Sequence, residues 1–294
     1  MSRFKTLLQR EWMQHHRGWL ILPMTPPLLI LAAMFFLPSG HVQPNEPALV
    51  MVASTFAVMS LVMFVAGVAL VFQAAGLTRR DEQDRSIEFW LSQPVSHTAS
   101  VGATVLMHLV FVPLLALAIG YAASQLIGML VVLMTHGVAG WASLPLGGMF
   151  VGSFATFLRI AFGLVLALAW VMPLLLLIMV ATGWLKGWGV PALVALLVTA
   201  HLIGKYVYDV NWVADALGAL RHGAAYSLLH IDHPNDEKAM MALVHRSPWP
   251  LDTPWLLRDA WRSITELAQP AFVLSVLSSA ACFAALVWRR SRVS

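Results

Sequence analysis

The sequence predicts an all-α polytopic membrane protein with six transmembrane helices, an N-terminal interfacial helix and a short helix on the cytoplasmic side. Three observations lead there. Of 294 residues, 59% are hydrophobic and 11% charged, with a mean hydropathy of +0.76; a soluble domain is nearer half apolar and a quarter charged. The apolar residues form continuous runs of about 20 or more, the length a helix needs to cross roughly 30 Å of hydrocarbon. Basic residues occur in alternate connections between those runs, the pattern of a chain threaded back and forth across a bilayer. Strands of a membrane barrel would alternate in polarity over about ten residues instead.

The chain reads as a single six-span domain over residues 1–294. Residues 1–17 come first. Phe4, Leu7, Leu8 and Trp12 recur at helical spacing, and Arg3, Lys5, Gln9, Arg10 and Gln14 cover the other side. This describes a helix lying in the membrane interface, with its basic face toward lipid phosphates. The segment is expected to stay attached: the apolar run after it starts late and lacks a small-residue cleavage site.

The spans are read at residues 18–37, 49–77, 101–134, 150–182, 190–207 and 270–288. Pro23, Pro26 and Pro27 should make the start of the first irregular, and Pro113 and Pro173 should kink the third and fourth, because proline removes a backbone donor. The second, third and fourth runs exceed the minimum length, so they tilt, protrude or bend. Arg3, Lys5, Arg10 and Arg17 precede the first span. Arg79, Arg80 and Arg85 follow the second, Lys186 separates the fourth and fifth, and Arg289, Arg290 and Arg292 end the chain. The connections 38–48 and 135–149 hold no lysine or arginine. Both termini and the loop 78–100 are therefore expected on the cytoplasmic side.

Residues 208–269 fall outside the membrane by parity. They carry Pro234, Pro248, Pro250 and Pro254, and residues 211–229 read as an amphipathic helix with Trp212, Ala216, Leu220 and Ala224 on one face. About 60 residues are marginal for an independent domain, so a small extracytoplasmic cap is expected. Arg159 and Lys205 lie near the outer ends of their spans. Snorkelling to the interface accounts for both; a role in gating or in contacting an anionic substrate is the alternative.

Several functions are set aside by what the chain lacks. The net charge of +4 comes with no basic stripe or aromatic–basic motif, so no nucleic acid partner is expected. Cys282 is the sole cysteine, which excludes an internal disulfide and a multi-thiolate metal site. His230, Asp232, His233 and Asp236, with His222 and His245 nearby, offer zinc or copper ligands. The Asp, Pro and Asn among them favour a solvated polar turn, and neither metal nor cofactor is expected. His108 and His201 lie within spans and should hydrogen-bond to neighbouring helices. The chain holds no G-x-x-x-x-G-K-[ST] loop, no H-E-x-x-H and no G-x-S-x-G, so it is read as a non-enzyme.

The strongest local signal is RRDEQDRSIEFWLSQPVS, residues 79–96, in which seven of the first ten residues are charged. Asp81 with Arg85, and Arg85 with Glu88, stand at spacings that support a helix by a few tenths of a kcal/mol each. Ile87, Trp90 and Leu91 form an apolar strip, and Pro94 ends the helix. Four acids lying on anionic lipid would be repelled, so both faces suit a protein partner better: charges set register and the Trp–Leu strip anchors.

Within it, DRSIEFWLSQPVS (residues 84–96) resembles the cytoplasmic loop of the type-2 permease family of ATP-binding-cassette exporters. There, an acidic–Arg–Ser stretch precedes a Pro-Val-Ser-like turn just before the third span. The interfacial N-terminal helix, six spans, cytoplasmic termini and larger external segment are similar too, although that segment is longer than in the shortest members. The resemblance implies a permease subunit in the bacterial cytoplasmic (inner) membrane, paired with a second permease subunit as a homodimer or paralogous heterodimer. It also implies that ATP is hydrolysed by a separate ATPase subunit. By resemblance, Asp81, Glu82, Asp84, Arg85, Glu88 and Trp90 would form the coupling helix that docks on that ATPase. An intramembrane enzyme and an ion-coupled secondary transporter are the alternatives; the second would need acidic residues near mid-membrane, and the six runs contain none.

Overall fold

The computed structural model describes residues 3–34, 36, 46–83, 96–230, 249 and 251–293, apart from the side chains of residues 3, 79–83 and 293. Every described element is a helix, as expected where lipid offers the backbone no hydrogen-bond partner. They are α1 (Arg3–Met34), α2 (Pro47–Gln83), α3 (His97–Leu106), α4 (Val112–Ala142), α5 (Leu146–Leu185), α6 (Gly189–Val207), α7 (Trp212–Leu228), α8 (Thr253–Thr265) and α9 (Pro270–Val293). A π turn at Met107–Phe111 joins α3 to α4.

Among the described residues, five helical runs are long and apolar enough to cross a membrane: Phe4–Met34, Pro47–Thr78, His97–Ala142, Leu146–Val207 and Pro270–Arg292. The stretches 150–182 and 190–207, read from sequence as two spans, fall within one run. They are joined by a 3-10 turn at Lys186–Trp188, and the backbone leaves helical geometry at Lys186. Lys186, at φ 52°, turns the chain there. Gly189 then lies so close to Thr182 that a Cβ would run into its backbone.

The expected break between an interfacial helix and a first span is absent. α1 is one helix of 32 residues, and it stays helical through Pro23, Pro26 and Pro27. These prolines stand at i, i+3 and i+4, on one face, and all three are buried. Their rings serve as packing surface.

The remaining prolines show how the lost donors are answered. Pro113 cannot bond to the carbonyl of residue 109, and the π turn absorbs the fault: the Val112 N–H reaches back five residues to the Met107 carbonyl. Pro173 leaves the Ala169 carbonyl without its intrahelical partner. The Ser275 hydroxyl of α9 stands 3.3 Å from that oxygen and 3.1 Å from the Trp170 carbonyl, so a neighbouring helix satisfies the opened turn.

α2 and α4 run antiparallel in close contact, Val62 facing Gly120 and Met51 with Ser54 facing Gly128. Their core joins Met59, Leu70 and Leu77 of α2 to Leu109, Leu117, then Leu164, Leu168, Leu175 and Met179 of α5, and Leu286 of α9. At 37 and 40 residues, α2 and α5 are about 55 and 60 Å long at 1.5 Å per residue, so they protrude well beyond a hydrocarbon layer. A second cluster is built on one set of ends: Met51 and Val52, Val132, Leu144 and Met149, covered by Trp249, Leu251 and Leu256. The Trp249 indole N–H donates to Thr156 of α5 at 2.8 Å. The described part of the 208–269 segment is thus packed onto the long helices rather than standing as a separate domain.

α7 agrees with the expected amphipathic helix in extent and differs in its buried face. Trp212 and Ala216 are exposed, while Val213, Gly223 and Ser227 are buried. Small residues decide this. Gly223 lies against the Trp170 ring, and Gly163 of α5 lies against the backbone of Ser227 and Leu228. A Cβ at Gly163 would overlap the Ser227 carbonyl oxygen, and forced overpacking costs about 1–3 kcal/mol. At Gly67, also mid-helix, a Cβ meets nothing. Thermal unfolding of the purified protein should therefore show Gly163→Ala clearly destabilised and Gly67→Ala neutral or slightly stabilised; equal effects would contradict the close approach of α7 to α5.

Candidate functional site

The structure locates the ends of the charged stretch 79–96 and little more of it. Asp81 and Glu82 continue α2 to Gln83, their side chains not described; Asp84, Arg85, Glu88 and Trp90 lie outside the described residues. α3 starts at His97, capped by the Ser96 hydroxyl, which accepts from the Ala99 N–H at 3.2 Å. The stretch is thus the direct link between two long helices that pack against each other.

At the N-terminus the four apolar residues divide. Leu7 is buried and Leu8 packs beside the Trp19–Met107–Val112 cluster, while Phe4 and Trp12 are exposed. Arg10, assigned by periodicity to the outer polar face, is 8% exposed, and Glu11 is 4% exposed. This correction has an electrostatic reason: the two charges neutralise each other. An Arg10 guanidinium nitrogen, Nη2, donates to Glu11 Oε1, and Thr104 of α3 donates to the same oxygen at 3.2 Å.

The other carboxylate oxygen faces two imidazoles. His108 Nε2 lies 3.3 Å from Glu11 Oε2, and His15 Nε2 lies 3.8 Å from it. Glu11 and His15 share a face of α1 through i,i+4 spacing. His108 comes from the π turn, which buries Met107, His108 and Leu109 together; such turns recur at functional sites. The His108 ring is completely buried. It stands 5.3 Å from the His15 ring and meets the Trp19 ring edge-on at 4.9 Å. His108 Nε2 faces the carboxylate, and Nδ1 has no hydrogen-bond partner among the described residues. Beyond Trp19 and Met107 lies an apolar cavity of about 380 Å³, bounded also by Lys5, Leu8, Trp12 and Leu115. The expected role of His108, bonding to a neighbouring helix, holds, and its partner is an acid.

A second buried charge cluster fixes α8. Arg159 of α5 does not snorkel. It is 4% exposed and makes an ion pair with Asp259 at 2.6 Å. Its guanidinium donates to the Ser263 hydroxyl at 2.6 Å and the Ser227 carbonyl at 3.1 Å. The His230 backbone N–H donates to Asp259 Oδ1 at 3.0 Å. Three segments therefore converge on one buried pair, and removing one partner from such a pair typically costs about 3–5 kcal/mol. The His222 and His230 rings flank Tyr226 at 3.9 and 4.3 Å. Asp232, His233, Asp236 and His245 lie outside the described residues.

These elements define the class: five apolar membrane-length helices, bundled and cross-linked by buried charge, are the architecture of a multi-pass membrane protein. No protein-family model, curated protein or solved structure matches the chain.

Burial holds the His230 imidazole below its ordinary value of 6.5, the Asp259 carboxylate opposing that shift. Between the two values the unfolded chain binds more protons than the folded one, so stability rises with pH across that window. The contribution is complete above pH 6.5 and is lost on acidification. His230→Gln should flatten that part of a melting-temperature profile between about pH 5 and 7; an unchanged slope would show that His230 does not carry it.

Proposed function

We propose that this chain is the transmembrane subunit of an ATP-binding-cassette exporter, forming a substrate pathway with a second permease subunit and driven by a separate ATPase subunit. The observation that carries the reading is the place of the stretch 79–96. Its motif resembles the coupling loop of that family, and it joins α2 to α3 directly. A displacement of the loop is borne by both helices. α2 transmits it along its contact with α4 at Val62–Gly120 and Met51–Gly128, and to α5 through the Thr78 hydroxyl, 3.2 Å from the Met179 carbonyl. Asp81, Glu82, Asp84, Arg85, Glu88 and Trp90 are the proposed docking residues, with the loop and both termini on the cytoplasmic side of a bacterial inner membrane. The apolar outer surface of the bundle suits lipid and a second subunit.

One observation favours a second reading. α1 begins at Arg3, so Glu11 lies within a helix of membrane-crossing length, buried against His108. A buried acid with histidine partners is the equipment of an ion-coupled secondary transporter.

Co-purification with a candidate ATP-binding-cassette ATPase subunit, followed by vesicle assays, separates the two. Truncating an Arg or Trp anchor costs more than about 1 kcal/mol apiece, so Arg85→Ala with Trp90→Ala should weaken association about tenfold or more and remove stimulation of ATP hydrolysis. Unchanged assembly and stimulation would refute the coupling role. Transport driven by a proton gradient without the ATPase, and lost in Glu11→Gln, would establish the second reading in its place.

A further inference from the structure

We propose that Glu11, His15 and His108 form a binding site for a single divalent transition-metal ion, of the zinc type, that clamps α1 to the α3–α4 helix. One ligand atom from each residue lies within 4.8 Å of the other two. The two distances to Glu11 Oε2, 3.3 Å from His108 and 3.8 Å from His15, bracket the edge of a tetrahedron with bonds of about 2.0–2.2 Å, which is roughly 3.3–3.6 Å. At 3.8 Å the His15 contact is too long for a hydrogen bond and suits a shared ion.

The surroundings are those of a ligand set. In metal sites the ligating carboxylate is itself held by hydrogen bonds. Here Arg10 and Thr104 both hold Oε1, leaving Oε2 for the two imidazoles. Two nitrogens and one oxygen favour zinc, and accept cobalt, nickel or copper, over calcium or magnesium. Three protein ligands leave a fourth position open, as in zinc sites that take water or a small ligand. Ligands at i and i+4 of one helix with a third on another helix make the ion a cross-link between elements. Arg10 opposes the ion's charge from the far side of the carboxylate, so affinity sits below that of a closed thiolate site, and occupancy follows ion supply. This inference does not rest on the exporter reading, and it competes with the ion-coupled one for the same Glu11 carboxylate.

The test uses the full chain, purified in detergent, stripped with a chelator and titrated with cobalt(II) alone. One equivalent should produce the visible absorption of a four-coordinate cobalt site, and zinc should displace it. Zinc should also raise the melting temperature of the stripped protein. Losing one ligand typically costs far more than the 10–100-fold lost with an outer-shell partner, so His15→Ala and His108→Ala should each weaken binding at least about tenfold. His222→Ala, which touches none of these groups, should leave it unchanged. His15 is only partly buried, so His15→Ala is the variant that keeps the test meaningful if His108→Ala does not fold. Absence of a stoichiometric cobalt spectrum in the wild-type protein, or full binding retained in His15→Ala, would overturn the site.

Discussion

A polar group carried out of water has to find its partner inside the protein, and this bundle is organised by that demand. Where Pro173 opens the backbone of α5, Ser275 of α9 supplies the missing donor. Where Arg159 enters the packed interior, Asp259 and Ser263 of α8 meet it. Where Glu11 is buried, Arg10, Thr104 and His108 close around it. Each answer comes wholly or partly from a different helix, so each doubles as a cross-link. Apolar contact alone gives little preference between one helix and another in lipid; these polar closures and the small-residue contacts at Gly120, Gly163 and Gly223 supply the specificity.

The same demand explains the shape of the chain outside the apolar layer. α2 and α5 exceed membrane length, and the ends that carry Met51, Val52 and Met149 present an apolar face. Trp249, Leu251 and Leu256 cover that face, while the Arg159–Asp259 pair pins α8 beside it. A segment too small to fold alone thereby acquires a core by borrowing the ends of the spans.

Much of this was legible in the sequence because hydropathy dominates the physics. The apolar runs mark the helices, the length of the second, third and fourth predicts protrusion, and Pro113 marks the π turn. The single-residue register of an unpartnered helix was less legible. A helical wheel of residues 1–17 places Arg10 among polar neighbours and cannot know that Glu11 and His108 will enclose it. The signal was present in a different form: Glu11 is the only acid in the first 45 residues, it stands four before His15, and His108 lies in a span close to Pro113. Likewise Trp212 and Leu220 predicted the buried face of α7 by hydrophobicity, whereas Gly223 and Ser227 win it by allowing closer approach. The fourth and fifth apolar stretches read as two spans because Lys186 interrupts the hydropathy, and the backbone turns at that residue, with φ 52°.

The placement of residues 3–17 within the bundle, rather than flat on the membrane surface, is the claim on which the Glu11 cluster and all that follows from it depend. Chemical cross-linking in native membranes tests it directly. With Cys282 replaced by serine, Leu8→Cys and Leu115→Cys would line the same cavity, and a short bis-thiol reagent should join them in high yield. Failure to join them, while each single cysteine still reacts with a monofunctional maleimide, would place the helix elsewhere and contradict the account.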